Sequence, residues 1–118
     1  MKIYLLSPVR NVTPAQQGII DAHVERLEQQ GHTVYLPIRD TCQDDEIGVS
    51  ICKSHASAML NCDRVDILWD KASTGSHVDL GMAYVIKKPL LYVHGFSDDG
   101  NKKSYHKVIK HVSENGYI

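Results

Sequence analysis

The segment that decides the fold is DRVDILWDKASTGSHVDLGMA, residues 63–83. It begins with an apolar run, Val65 to Trp69, which is typical of a buried strand in a parallel sheet. A small polar loop follows at residues 73–76, and a helix then carries Asp79 in its first turn. This order brings backbone N–H groups, hydroxyls and one carboxylate to the carboxyl end of a strand, where open α/β sheets bind small molecules. The segment therefore predicts an α/β fold and the place of its site.

Similar units lie along the rest of the chain. Apolar spacing predicts strands at 2–6, 32–36, 65–69 and 89–93, and helices at 13–31, 47–61, 78–86 and 103–115. Residues 38–46 form a polar connection, and residues 95–100 form a loop rich in Ser, Asp and Gly. Right-handed crossovers between these units predict one domain over residues 1–118. Its fold class is α/β, a flavodoxin-like three-layer sandwich with a four- to five-stranded parallel sheet.

Composition narrows the class of protein. The 118 residues are 42% hydrophobic and 23% charged, with a net charge of −1. This balance is ordinary for a globular domain and gives no basic face for a nucleic acid polymer. No run approaches the ~18 apolar residues of a membrane span, and the apolar start is too short for a signal peptide. We therefore expect a cytoplasmic protein that does not bind membranes.

The cysteines show no metal-binding pattern. Cys42, Cys52 and Cys62 are spaced evenly by ten, without the Cys-x-x-Cys or Cys/His spacing of a zinc site. We expect reduced, mostly buried thiols, with no metal and no cofactor.

Two strand ends supply candidate binding residues. After the first strand come Ser7 and Arg10, and the Arg10 guanidinium is a planar fork suited to phosphate or carboxylate. After the third strand come Ser73, Gly75 and Ser76, a composition that can surround an anion with backbone N–H groups but also suits any tight turn. Because both loops follow strands of one parallel sheet, they open at the same edge. They predict a shared phosphate or sugar site.

Several nearby residues have two interpretations. If Ser76 caps its helix, Asp79 occupies the acidic position of a capping box; otherwise it is an acid or nucleophile beside a ligand. Asp70 ends the third strand and is a pocket candidate. Tyr4 and Trp69 either contact a base or belong to the core.

Buried charge and histidine positions complete the candidate list. Asp63 is placed to cap the entry of the third strand, whereas Asp66 lies within an apolar run and needs a partner if it is buried. His55 lies on the second helix, and His77 lies near Asp79 in sequence, where it would influence the charge of that carboxylate.

At this point the chain resembles the nucleoside 2-deoxyribosyltransferase superfamily, which includes the 2'-deoxynucleoside 5'-monophosphate N-glycosidases. The opening KIYLLSP, residues 2–8, is similar to the family's KIYLAGP start. Residues 63–81 resemble its block of an aspartate, an apolar strand, SxG and ELG, without a gap. The resemblance covers about residues 1–95 and implies a nucleoside or nucleotide as small-molecule substrate. It also implies a homodimer or larger homo-oligomer.

The resemblance implies a role for individual residues. A glutamate before Leu-Gly attacks the anomeric carbon in that family, and Asp79 stands in its place. Ser73 and Gly75 fall on residues that hold a 5'-phosphate, and Arg10 resembles a phosphate-contacting arginine. Tyr4 resembles the tyrosine at the floor of the pocket.

Two departures bear on the chemistry. Asp79 is one methylene shorter than glutamate, which moves its oxygens back by about 1.5 Å. Misplacement of that order can cost about 100-fold in rate. The family's upstream aspartate falls near His55, which would serve as proton donor in its place.

Three hypotheses follow for the function. The first is cleavage or transfer of an N-glycosidic bond of a nucleotide or deoxynucleoside, with Asp79 and His55 as catalytic residues. Its substrate-binding residues are Tyr4, Ser7, Arg10, Trp69, Asp70, Ser73, Gly75 and Ser76. The second is a non-catalytic module that senses or sequesters a nucleotide or an ADP-ribose-like ligand. The third is a domain whose pocket contributes to a larger complex.

Overall fold

The sheet has four parallel strands. The computed structural model describes residues 1–96, 100 and 102–118. The strands are β1 (Lys2–Leu6), β2 (Thr33–Tyr35), β3 (Arg64–Trp69) and β4 (Leu90–Gly95), in the order β2-β1-β3-β4. All neighbouring pairs run parallel, so the predicted α/β class is confirmed. The described residues contain no fifth strand.

In the described part of the chain, five helices connect and flank the strands. They are α1 (Pro14–Gln29), α2 (Pro37–Asp40), α3 (Val49–Asn61), α4 (Thr74–Val85) and α5 (Tyr105–Asn115). The predicted start of α1 is confirmed, since Thr13 and Gln16 form a complete capping box ahead of the main apolar stripe. Within the described residues, none of the helices combines the length and apolar character that a membrane crossing requires.

The helices form two layers, one on each face of the sheet. Alternate strand residues point to opposite faces, so each face has its own core. The core beside α1 contains Ile3, Leu5, Ile20, Val24, Leu27, Val34, Leu36 and Leu68. The core beside α3, α4 and α5 contains Tyr4, Leu6, Met59, Cys62, Val65, Ile67, Trp69, Leu80, Ala83, Leu90, Ile109 and Val112. The three-layer sandwich is therefore as predicted.

One buried carboxylate joins α1 to the sheet. Asp66 lies in the middle of β3 and is fully buried. The guanidinium of Arg64 donates to both of its oxygens at 2.6 and 3.0 Å, and Nε2 of His23 lies 2.9 Å from Oδ2. Burial acts to raise the pKa of Asp66, but the hydrogen bonds from His23 and Arg64 outweigh it and the net pKa is lowered. The partner that the sequence required is thus a histidine on α1 together with a neighbouring arginine.

Several element boundaries differ from the prediction. The loop expected at residues 73–76 is the start of α4, with Ser73 as its N-cap. The polar connection at 38–46 overlaps the single turn of α2. Helix α3 begins two residues later than predicted, after Gly48 at a φ of +92°, and the Asp45 carboxylate accepts from the exposed N–H of Ser50 at 2.6 Å. Residues 97–99 of the predicted loop at 95–100 lie outside the described residues, as does residue 101.

Two minor expectations are corrected by the structure. The Asp63 carboxylate accepts from the backbone N–H of Lys2 at 2.7 Å, so it caps the entry of β1 rather than that of β3. Cys62 is buried, but Cys42 and Cys52 are exposed. The prediction of mostly buried thiols is therefore wrong, because those two lie on the polar connection and on the outer side of α3.

Candidate functional site

Asp79 lies in the second turn of α4, with its carboxylate directed inward. The helix begins at Thr74, capped by Ser73, whose Oγ accepts from the N–H of Ser76 at 3.4 Å. Asp79 is therefore the sixth residue of the helix, and the interpretation of Asp79 as a capping-box acid is wrong. Its 5% exposure means that its carboxylate must be satisfied inside the protein.

Two side chains satisfy this carboxylate. The Tyr4 hydroxyl, from the middle of β1, donates to Oδ2 of Asp79 at 2.7 Å. Nδ1 of His55, from α3, lies 3.2 Å from Oδ1. Burial and the neighbouring negative charge of Asp79 raise the pKa of Tyr4 well above its usual value, so the phenol stays protonated and keeps donating. The site is thus a carboxylate held between a neutral phenol and an imidazole.

A second tyrosine supports this group and was missed by sequence reasoning. Tyr35 is the register partner of Tyr4 across β1 and β2, and the two rings stack with centroids 5.3 Å apart. The Tyr35 hydroxyl is hydrogen-bonded to the hydroxyl of Thr41, just after α2. His55 meets both tyrosine rings edge-on. Only knowledge of the strand register would have placed Tyr35 here.

Two buried polar atoms close to the carboxyl edge have no protein partner. They are Nε2 of His55 and Oγ of Ser7, within the described part of the chain. Buried polar groups are nearly always hydrogen-bonded, so such atoms need an explanation, for which a bound molecule is one candidate. Ser7 directly follows β1, and His55 already contacts the Asp79 carboxylate.

A hydrogen bond links the start of α1 to the end of β3. The Gln16 side-chain amide donates to Oδ2 of Asp70 at 3.3 Å. The other oxygen of Asp70 accepts from the backbone N–H of Ala72 at 3.0 Å. The start of α1, just after the first candidate loop, therefore lies against Asp70 at the carboxyl edge of the sheet.

The remaining candidate residues lie around this edge. Arg10 is exposed on the loop after β1, and Gly75 is exposed in the first turn of α4, with open space where a Cβ would point. Ser76 is buried, and its hydroxyl is 2.8 Å from that of Ser73. Trp69 is 1% exposed, so its indole belongs to the core.

His77 does not face Asp79, contrary to expectation. Its Nδ1 is 2.8 Å from the carbonyl oxygen of Ser73, and its ring contacts Trp69 and Tyr105. The histidine beside the carboxylate is His55 of α3. Within residues 1–96, 100 and 102–118, no three His, Cys, Asp or Glu side chains gather in a metal-binding arrangement. The chemistry available at Asp79 is therefore that of a carboxylate, an imidazole and a phenol.

Solved structures share this fold, although the chain matches no protein-family model and no curated protein sequence. A 2-deoxyribosyltransferase from the psychrotolerant bacterium Bacillus psychrosaccharolyticus is similar, with a TM-score of 0.71 and 23% identity over 89% of this chain and 78% of that one. The CMP N-glycosidase BcmB of Clostridium botulinum is similar with a TM-score of 0.63 and 18% identity, over 96% and 83%. A conserved protein from Enterococcus faecalis V583 gives 0.66 and 20%, over 98% and 76%.

These likenesses establish the fold. The resemblance to the nucleoside 2-deoxyribosyltransferase superfamily that the sequence predicts is confirmed at that level, because two of the structures are a deoxyribosyltransferase and an N-glycosidase. At such identities fold does not carry function with it, so function must be argued from the site.

Proposed function

We propose that the protein cleaves or transfers the N-glycosidic bond of a nucleotide or deoxynucleoside. The observation that carries this proposal is the carboxylate of Asp79, buried between the Tyr4 hydroxyl and the His55 imidazole. Two enzymes of the same fold, a 2-deoxyribosyltransferase and a CMP N-glycosidase, support the reaction class.

The carboxylate acts at the anomeric carbon. An oxygen of Asp79 bonds to C1' while the bond from C1' to the base nitrogen breaks, and the bonding electrons leave with the base, which gains a proton. Water, or a second base in a transfer reaction, then bonds to C1' and releases the carboxylate. The transition states resemble an oxocarbenium ion, which a nearby negative charge stabilises. The hydrogen bond from Tyr4 holds the carboxylate in place during both steps.

His55 handles the proton. When Nδ1–H points at Asp79, the neutral ring has its lone pair on Nε2, the buried atom without a protein partner. That nitrogen accepts a proton from attacking water, and in its protonated form donates one to the departing base. A histidine thereby replaces the second carboxylate that most glycosidic enzymes use.

The phosphate lies at the start of α4. The first N–H groups of a helix bind anions, and the exposed, open position of Gly75 leaves room for close approach. Ser73 and Arg10 add a hydroxyl and a guanidinium, with Ser76 fixing the Ser73 hydroxyl. Ser7 offers its unpartnered hydroxyl to the sugar.

Roles for two further residues stay predictions. Asp70 lies at the end of β3, beside the start of α1, and Trp69 would contact a base only by its edge because it is almost fully buried. A homodimer or larger assembly is likewise a proposal, supported by exposed apolar residues on α3 and α4, namely Leu60, Val78 and Val85.

The test measures base release from a panel of ribo- and deoxynucleosides and their 5'-monophosphates by chromatography, with and without a second free base as acceptor. We expect release with at least one nucleotide, and a loss of about 100-fold or more in Asp79→Asn, which keeps the size of the side chain but removes its charge. Asp63→Asn is the matched control, since Asp63 lies at the opposite end of β1. Absence of release from the whole panel, or equal rates in Asp79→Asn, contradicts the proposal.

A second candidate is ligand binding without chemistry. It is favoured by the short side chain of Asp79, both of whose oxygens are already engaged by protein groups. Calorimetry would then show nucleotide binding without base release, and Asp79→Glu would gain release by lengthening the side chain. Turnover that Asp79→Asn abolishes, with affinity retained, rules this candidate out.

A further inference from the structure

A cavity lies on the other side of α4 from Asp79. It has a volume of about 560 Å³ and is lined by Trp69, Lys71, His77, Lys103, Ser104 and Tyr105. We call it the α4–α5 cavity, since those two helices form its walls. This volume lies within the range of small-molecule sites, about 300–1,000 Å³. Helix α4 separates it from the pair formed by Tyr4 and His55.

Aromatic rings form the inner wall of the cavity. His77 lies between the rings of Trp69 and Tyr105, with centroid distances of 4.8 and 5.5 Å. Tyr105 is 60% exposed, so one of its faces is available to a ligand. Faces and edges of this kind accept a planar ring in stacked or edge-on contact.

Positive groups surround the rings. Among the residues that the structure describes, no aspartate or glutamate lines the cavity, and Lys71 and Lys103 form no ion pair. Ser104, the N-cap of α5, places the positive end of that helix dipole at the same opening. The cavity therefore favours negative charge beside an aromatic wall.

One ring nitrogen of His77 is held by a hydrogen bond, and the other is available to a ligand. A carbonyl oxygen can only accept, so Nδ1 of His77 carries the hydrogen that is donated to Ser73. Its Nε2 has no partner among the described residues. The imidazole thus adds one directional hydrogen-bonding atom to the wall of rings.

From these contacts we propose that the α4–α5 cavity binds a planar aromatic molecule that carries a phosphate or carboxylate. The ring packs against Tyr105 and His77, with Trp69 behind them, while Lys71 and Lys103 hold the anion. This site is separate from the one at Asp79, and the proposal holds whether or not the protein cleaves glycosidic bonds.

Trp69 is the single tryptophan of the chain, so its indole N–H gives one assignable NMR cross-peak that reports on this cavity. We expect 2-naphthyl phosphate to shift that peak saturably. Inorganic phosphate and 2-naphthol, which each lack one half of the probe, bind at least tenfold more weakly. Lys103→Glu and Tyr105→Ala weaken the affinity for 2-naphthyl phosphate by at least tenfold.

Two control variants test whether the probe binds in this cavity. Lys53→Glu changes an exposed lysine on α3 and leaves the affinity unchanged, as does Asp79→Asn, so failure here is distinguishable from failure of the proposed reaction. Absence of a shift at millimolar 2-naphthyl phosphate overturns the proposal. The proposal is also overturned if 2-naphthol binds as tightly as 2-naphthyl phosphate, or if Lys103→Glu binds 2-naphthyl phosphate as tightly as the wild type. Because Lys103 is exposed, its substitution does not disturb folding.

Discussion

Tyr4 and His55 hold opposite oxygens of one carboxylate, and they do so from different elements. The phenol comes from the centre of the sheet and the imidazole from α3. Asp79, on α4, is therefore positioned both by the sheet and by the neighbouring helix. The Tyr4 hydroxyl reaches the short side chain of Asp79 at 2.7 Å, a close contact inside the protein.

Tyr4→Phe tests this contact. The substitution keeps the ring that stacks on Tyr35 and removes only the hydroxyl, which leaves an oxygen of Asp79 buried without its donor. We expect a loss of about 1–3 kcal/mol in the free energy of unfolding, measured by urea denaturation. Tyr84→Phe is the control, because the Tyr84 ring is partly exposed and its change should stay within about 0.5 kcal/mol. A Tyr4→Phe protein as stable as the wild type contradicts the contact.

Residue-level prediction from the sequence succeeded for residue types and failed for contacts. Asp66 could be singled out because a charge inside an apolar strand requires a partner, but the partner His23 lies 43 positions away. Tyr35 was missed for the same reason: its place beside Tyr4 depends on strand register, which local pattern does not encode.

At the scale of elements, helix ends were predicted where side chains encode them. Thr13 and Gln16 marked the start of α1 because both halves of the capping box are local in sequence. The start of α4 was misplaced by four residues because Ser, Thr and Gly also suit a loop. In the structure, α4 begins at the Ser73 hydroxyl, which caps the first turn and brings the N–H groups of that turn into the proposed site.

Two glycines provide a matched test of helix geometry. Gly18 lies exposed within α1, whereas Gly48 precedes α3 at a φ of +92°, and neither has an atom within 4 Å of an added Cβ. We expect Gly18→Ala to stabilise the protein by about 1 kcal/mol, through helix propensity. Gly48→Ala should destabilise it by about 1–2 kcal/mol, because a left-handed backbone conformation disfavours a side chain. Thermal denaturation of both variants measures the difference, and changes of the same sign would contradict the backbone assignment.

For the whole molecule, the network around Asp66 ties the single helix α1 to the sheet. On the other face three helices share a larger core, whereas on this face an ionised carboxylate is buried beside the apolar contacts. Leaving a buried carboxylate without its partners lowers the free energy of unfolding strongly. The attachment of the α1 layer should therefore depend on pH.

Arg64→Met removes the guanidinium while keeping most of the apolar stem. We expect the free energy of unfolding to fall by about 3 kcal/mol near pH 7, as measured by urea denaturation. Because the pKa of Asp66 is lowered in the folded protein, its contribution is present above the ordinary carboxyl value of about 4 and is lost as the pH falls through the folded value. The difference between wild type and variant should therefore shrink below about pH 4.

Arg39→Met is the control for that experiment. Arg39 forms exposed pairs with Glu28 and Asp40, each worth less than about 1 kcal/mol, and donates to the backbone carbonyl of Val34 at 2.8 Å. A pH-independent loss in Arg64→Met would show that its stem, rather than its charge, stabilises the fold.

Both polar atoms of the Gln16 side-chain amide form hydrogen bonds. Its oxygen accepts from the backbone N–H of Thr13 at 3.0 Å, and its nitrogen donates to the carboxylate of Asp70. A glutamate would serve the helix start equally well, yet it would set two anions against each other where the start of α1 meets the end of β3. The choice between amide and acid at position 16 is thus dictated by a residue 54 positions downstream, and the approach of these two elements depends on that pairing.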